Sequence, residues 1–223
     1  MNARDTILAA VRRNLPRPVV PLPEIPKCKR IEIKTCLGYK EQLEHLPEIP
    51  GFPGEDEPIL PYFRKQLEAM GGTLFEVADS EAARAKVAEL FPAAKVVCSA
   101  TPEVPGTRRV QDVRDPHDLN DVDVGVVRSP LGVAEAGAVW LTQEELIVNA
   151  LGVLSQHLVV LLDPAAIVDT MHDAYCQLHL AASPYGLFMA GPSATGDIEG
   201  VIIHGAQGAR SMTVLLLAPT PAG

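Results

Sequence analysis

Clustered cysteines, excess basic charge and long apolar runs are all missing from this 223-residue sequence. The four cysteines have no CxxC or iron–sulfur spacing, so we expect free thiols and no cluster held by this chain. They are Cys28, Cys36, Cys98 and Cys176. With 19 Lys and Arg residues against 28 Asp and Glu residues, the formal net charge is -9, which excludes the basic face that nucleic-acid binding requires.

Membrane and secretion signals are also absent from the sequence. No apolar run approaches the roughly 20 residues of a bilayer span, and the first residues contain no signal-peptide core. We therefore expect a cytoplasmic protein. Neither GxGxxG, nor GxxxxGK[ST], nor a GxSxG elbow occurs, which excludes the common nucleotide-binding signatures and the usual hydrolase elbow.

The chain divides by composition into an arm and a domain. Residues 3–15 place Ile7, Leu8, Val11 and Leu15 on one helical stripe that needs a partner surface, either on this chain or on another subunit. Prolines then force an extended segment. We predict an N-terminal amphipathic helix and proline-rich arm over 1–57 and a single α/β domain over 58–223.

The domain begins with an alternation of helices and strands. Helical periodicity runs from Ile59 to Met70 and stops at Gly71-Gly72, and a second helix is predicted over 80–90 with Ser80 as its N-cap. Further apolar runs predict strands at 73–77, 95–98, 121–127, 138–141, 158–162, 187–190 and 212–217. This alternation predicts a largely parallel sheet with helices on both faces.

A third helix is predicted from Asp163, as N-cap before Pro164, to about Leu180. Four residues with metal-ligand side chains would then share one stripe of it: Asp169, His172, Cys176 and His179. The stripe borders an apolar face, where half-buried polar residues are common, so we predict no metal site. Among the other histidines, His45 and His117 are expected in solvent, while His157 fits either the core or a pocket.

Polar and small residues are densest between Gly191 and Arg210, a stretch flanked by two apolar runs. A strand that breaks into Gly-Pro-Ser before a helix start would place amides and hydroxyls at the carboxyl edge of a sheet, where α/β proteins bind ligands. In the structural alternative, Ser193 or Thr195 only caps that helix, and Asp197 and Glu199 face its dipole.

In the functional interpretation, Ser193, Thr195 and free amides hold the oxygens of a ligand, while Asp197 binds a hydroxyl or positions an arginine. The two acids, Asp197 and Glu199, would repel a phosphate dianion unless Arg210 or a metal intervened. A carboxylated or hydroxylated ligand is therefore favoured over a phosphate.

Two segments of the chain resemble the LUD domain of the lactate-utilization family. Gly191–Glu199 and His204–Arg210 are similar to its carboxyl-terminal signature, and Gly132–Trp140 is similar to its earlier Ala-Glu-Thr-Gly-Thr segment. Alanines replace the usual threonines at 136 and 138, and Ala-Gln replaces a frequent Gly-Pro at 206–207.

The resemblance implies a three-layer α/β/α sandwich with a mixed, mainly parallel sheet, like sugar-phosphate isomerases and CoA transferases. It also implies a component of L-lactate oxidation to pyruvate that acts with iron–sulfur partner proteins, binds a small carboxylate and carries no cofactor of its own. The predicted catalytic residues are Glu135 and His204. The predicted ligand-binding residues are Gly132, Gly191, Ser193, Thr195, Asp197, Glu199, Gln207 and Arg210.

The sequence leaves two alternatives open. One is a stand-alone isomerase or CoA-transferase-like enzyme that uses Glu135 as base or nucleophile. The other is a non-catalytic interaction subunit whose N-terminal helix and arm dock on a partner or on a second copy in a homo-oligomer.

Overall fold

The computed structural model describes residues 57–178, 183–197 and 199–218, together with Arg4, Ala9, Ala10 and Arg13. These four N-terminal residues are helical. The apolar stripe predicted at Ile7, Leu8, Val11 and Leu15, and the proline-rich arm, lie outside the described residues. The boundary after residue 57 therefore stays a prediction, and every element named below lies in the compact unit His45–Gly223.

Five α-helices, three short 3-10 helices (Val110–Asp112, Pro116–Leu119 and Pro164–Ala166) and twelve strands make up the described part of this unit. The helices are α1 Ile59–Ala69, α2 Ser80–Leu90, α3 Gln143–Leu146, α4 Leu151–Leu154 and α5 Met171–Gln177. The first six strands are β1 Thr73–Glu76, β2 Val97–Ser99, β3 Arg108–Arg109, β4 Val124–Ser129, β5 Leu131–Val133 and β6 Ala138–Thr142. The others are β7 His157–Leu162, β8 Ile167–Val168, β9 Gly186–Met189, β10 Ala194–Thr195, β11 Ile203–His204 and β12 Ser211–Leu216.

The central sheet has six strands in the order β1-β12-β7-β4-β2-β3, and every neighbouring pair is parallel. Its middle strands are near-continuous apolar runs because both of their faces are buried. Along β7, Leu158 and Val160 pack with α1 on one face, while Val159 and Leu161 pack with α2 on the other. Helices thus cover both faces, which confirms the predicted α/β class.

A smaller sheet has four strands in the order β8-β5-β6-β9. Strand β6 is antiparallel to β5 and to β9, whereas β5 and β8 are parallel. The smaller sheet begins where β4 ends at Ser129, because Pro130 interrupts the ladder and the chain continues into β5. The hydroxyl of Ser129 lies 2.7 Å from the carbonyl oxygen of Trp140 and fixes β6 beside this corner. The mixed character that we expected of one sheet is therefore divided between two sheets.

The predicted ends of the first two helices are largely confirmed. Helix α1 ends before Gly71, which has a left-handed φ of 84° that suits a glycine C-cap. Helix α2 spans the predicted residues, but its N-cap is Asp79 and not Ser80. The Asp79 carboxylate accepts a 2.8 Å hydrogen bond from the amide of Ala82, and an aspartate caps as well as a serine.

The long helix predicted from Asp163 to Leu180 is wrong. Asp163 does cap a turn, at the amide of Ala165, but this is a short 3-10 turn that leads into strand β8. The β-branched pair Ile167-Val168 instead forms a parallel ladder with β5. A separate helix, α5, begins after Thr170, so Asp169 lies outside it and the predicted stripe does not form. The fourth member of that stripe, His179, lies outside the described residues.

No helix within the described ranges is long and apolar enough to cross a membrane.

Candidate functional site

The segment from Gly191 to Arg210 does not start a helix, contrary to the sequence prediction. Its described residues form a two-stranded antiparallel hairpin, β10 and β11, in which Ala194 pairs with His204. Two backbone bonds of 2.9 Å hold its base, from the Ser193 amide to Ala209 and from the Gly205 amide to Ser193. The capping role proposed for Ser193 or Thr195 is therefore wrong.

The hairpin leads to the amino edge of the central sheet, whereas the sequence predicted the carboxyl edge. Strand β9 belongs to the smaller sheet, where it runs antiparallel to β6, so its end is not a carboxyl end of the parallel sheet. The Arg210 amide bonds the carbonyl of Gln156 at 2.8 Å, immediately before β12 and β7 begin side by side. The segment therefore ends at the amino edge of the parallel sheet.

Both family-like segments meet at the end of helix α1. Gly191 has a φ of 73°, and a Cβ there would lie 2.2 Å from the carbonyl oxygen of Met70. In the other segment, a Cβ at Gly137 would lie 2.2 Å from the amide nitrogen of Leu67. Only glycine permits these approaches, so the two segments are held on neighbouring turns of the same helix. The His204 ring lies beside Gly71 at this helix end.

Glu135 binds the start of helix α5, a role that its sequence context does not predict. Its carboxylate Oε2 accepts a 2.8 Å hydrogen bond from the amide of Met171, and its own amide donates to the carbonyl of Asp169 at 2.8 Å. An acidic side chain is favourable there because it binds a free amide at the positive end of the helix. This contact comes from a residue 36 positions earlier, so helix periodicity could not reveal it.

The remaining predicted ligand residues lie in different surroundings. Asp197, Glu199 and Gln207 are exposed, while Ser193 and Thr195 are half-buried. The Thr195 hydroxyl accepts the amide of Asp197 at 3.3 Å, an ordinary turn contact. Gly132 is buried in β5, where a Cβ would lie 2.8 Å from Cδ2 of Leu162, so its surroundings are those of a packing position.

An open groove of about 650 Å³ lies at the amino edge of the central sheet. Its lining residues are Leu90, Phe91, Pro92, Ala93, Ala94, Asn120, Asp121, Asp123, Gln156, His157 and Arg210. Arg210 is the one predicted ligand residue in this lining. Glu135, Asp197 and His204 are not part of it, so the structure does not bring all four predicted polar residues into this groove.

His157 lines the groove and is also hydrogen-bonded, which resolves the question that the sequence left open. Its Nδ1 lies 2.8 Å from the Ser211 hydroxyl, and its ring packs on Phe91 with centroids 4.8 Å apart. Burial, followed by the positive charge of Arg210, lowers the pKa of His157 below its ordinary 6.5. The imidazole is therefore neutral at pH 7 and can exchange hydrogen bonds with a ligand.

The two carboxylates at the groove have local partners. Asp121 forms bonds of 2.7 and 2.8 Å with the Arg108 guanidinium, and this hydrogen bonding lowers the pKa of Asp121. The Asp123 carboxylate accepts hydrogen bonds from the amides of Lys95 and Val96 at 2.7 and 2.9 Å. These hydrogen bonds lower the pKa of Asp123, and the bond from Val96 has the larger effect. Both side chains thus fix the loops that form the groove wall.

Among the described residues, no group of three or more His, Cys, Asp or Glu side chains is arranged to hold a metal ion. Cys98 is buried and Cys176 is exposed, and both are free thiols.

The fold and groove define an α/β protein with an open groove at the amino edge of its parallel sheet. Residues 111–217 match the model of the family described as the LUD domain. The match includes both motif segments and confirms the resemblance of this part of the chain to the LUD domain.

A crystal structure of a DUF162 family protein from Deinococcus radiodurans has a similar fold. The TM-score is 0.54 at 16% sequence identity, and the match covers 72% of this chain and 96% of that chain. No curated protein matches the chain significantly.

Proposed function

We propose that this chain is a component of a system that oxidises L-lactate to pyruvate together with iron–sulfur partner proteins. The LUD domain supports the relation to lactate utilization, and its match spans the Glu135 turn and the Gly191 hairpin. In this proposal the partners accept the two electrons of lactate, because the scattered cysteines of this chain provide no cluster ligands.

The observation that best supports binding to partner proteins is an apolar surface around the hairpin, which we call the hairpin patch. The structure exposes six large hydrophobic side chains among its described residues, and four belong to residues on or beside the hairpin. They are Met70, Val153, Val201 and Ile202. Met70 contacts Gly191, the backbone of Val153 lies near Gly208, and the last two are on the hairpin itself. Exposed apolar side chains grouped around one surface segment are typical of protein interfaces.

In this proposal, His204 is the base that accepts the hydroxyl proton of lactate. It is exposed on β11 and is followed by Gly205. The neighbouring Ser193 and Thr195 would orient the substrate, as the sequence predicts. Glu135 is less suited to act as a nucleophile, because one of its carboxylate oxygens already accepts the amide of Met171.

The test is reconstitution of lactate-dependent electron transfer with purified iron–sulfur partners, with and without this chain. We expect the rate to require the chain. We expect His204→Gln to lower kcat by about a hundredfold or more, the usual contribution of a general base. Equal rates with and without the chain would contradict the proposal.

Partner binding is tested separately with Ile202→Asp, measured as the affinity of this chain for the iron–sulfur proteins. A charge placed at an exposed side chain should leave the fold intact and weaken association by about tenfold or more. Ile202→Val is the matched control and should bind normally. An Ile202→Asp chain that binds normally would exclude the hairpin patch as the partner surface.

A further inference from the structure

We propose that the groove at the amino edge of the central sheet binds an organic monocarboxylate with a flat apolar body, larger than lactate. This site is separate from the hairpin patch, and the inference does not depend on the proposed function. The volume of about 650 Å³ is in the range of cofactor and drug-sized ligand sites. An acid as small as lactate would leave most of it to water.

The charges of the groove favour one anionic group. Within the described residues, the Arg210 guanidinium has no carboxylate partner, whereas Asp121 is paired with Arg108 and Asp123 binds two backbone amides. Arg210 is therefore the charge left for a ligand, and a guanidinium binds a carboxylate with two parallel hydrogen bonds. The groove lining contains one Lys or Arg side chain, Arg210, for the two charges of a phosphate dianion, which makes phosphate the weaker candidate.

The position of Arg210 is fixed by its backbone and by a glycine. Its amide donates a hydrogen bond to the carbonyl of Gln156. A Cβ at Gly205 would lie only 2.4 Å from the Cγ of Arg210. Gly205 therefore leaves room for the arginine stem beside β11. The next residue, Ser211, is bonded to His157, so the guanidinium and the imidazole come from adjacent strand starts. The Arg210 backbone is thus held in place before a ligand binds, which lowers the entropic cost of binding.

The rest of the lining favours a ligand with a flat apolar body. One wall is the apolar run from Leu90 to Ala94, which includes Phe91. The amides of Asn120 and Gln156 and the neutral imidazole of His157 provide polar contacts beside it. An apolar wall with a few convergent polar groups is the usual composition of a small-molecule site.

The test uses cinnamate as the probe and the neutral cinnamamide as its isostere, with binding followed by proton–nitrogen correlation NMR of the full chain. We expect cinnamate to shift the imidazole signals of His157 and the amide signals of Arg210 and Ser211. Because hydrogen bonds to a charged group are stronger than those to a neutral group, we expect cinnamate to bind about tenfold or more tightly than cinnamamide. Arg210→Met should abolish this preference.

Two variants control the measurement. Arg114→Met removes an exposed arginine outside the groove and should keep the full preference for cinnamate. Ala93→Trp fills the apolar wall at an exposed position and should weaken cinnamate and cinnamamide alike. Equal binding of the two probes, an unchanged preference in Arg210→Met, or binding of L-lactate or inorganic phosphate as tight as that of cinnamate would overturn the proposal.

Discussion

Replacing Gly191 with alanine tests how tightly the signature hairpin is held on helix α1. The φ of 73° is unfavourable for alanine by about 1–2 kcal/mol. In addition, the new Cβ would lie 2.2 Å from the carbonyl oxygen of Met70, which is backbone and cannot rotate away. Overpacking of this kind costs about 1–3 kcal/mol more, so Gly191→Ala should strongly reduce the free energy of unfolding.

Gly200→Ala is the matched control for this prediction. Gly200 has a similar φ of 70°, but apart from its chain neighbours no atom of the described residues lies within 4 Å of the position that a Cβ would take there. This variant therefore experiences only the backbone strain. Urea unfolding should therefore separate the two variants by the contact alone, about 1–3 kcal/mol. For a chain of this size the difference corresponds to about 2–12 °C in Tm. A difference below about 0.5 kcal/mol would refute a close contact between the hairpin and α1.

Three further predictions follow from the titrating and packing residues. Arg210→Met should raise the pKa of His157 towards its ordinary 6.5, but the pKa should stay below 6.5 because the burial remains. An NMR titration of the imidazole measures this pKa, and an unchanged value would contradict the prediction. Burial opposes ionisation of Glu103, but its hydrogen bonds, including one of 2.7 Å from Arg128, lower its pKa below 4.5. Glu103→Gln should therefore cost about 1–3 kcal/mol at pH 7, and this difference, measured by urea unfolding, should disappear as the pH falls through the folded pKa of Glu103. Gly132→Ala should lower the free energy of unfolding by about 1–3 kcal/mol through crowding and leave cinnamate binding unchanged.

Much of the fold could be predicted because its signals are local. Continuous apolar runs identified strands such as β7 and β12, and helix α1 stopped at the glycine pair where the sequence placed its end. The prediction failed between Asp163 and Leu180, where helix-compatible spacing competed with the β-branched pair Ile167-Val168. That pair forms a strand because β5 offers it an open edge, and the partner strand is distant in sequence.

The candidate site was only partly predictable for the same reason. Arg210 was selected for its place in a polar, glycine-rich stretch, and it does line the groove. Its neighbours in the groove come from three other segments, including Phe91 and Asn120, which carry no motif of their own. Glu135 was predicted to be a catalytic residue, yet its side chain accepts a hydrogen bond from the first amide of helix α5. The sequence did not predict that α5 begins there, because it predicted one continuous helix from Asp163.

The sequence by itself determined the α/β class, the LUD-domain resemblance and the residues of the signature, since these depend on composition, periodicity and short motifs. The tertiary structure alone decided that the Gly191 segment is a hairpin that ends at the amino edge of the sheet. It also decided that Arg210 meets His157 in a groove while Glu135 caps a helix. Such arrangements depend on which strands pair and in which direction, and no pattern of neighbouring residues encodes that choice.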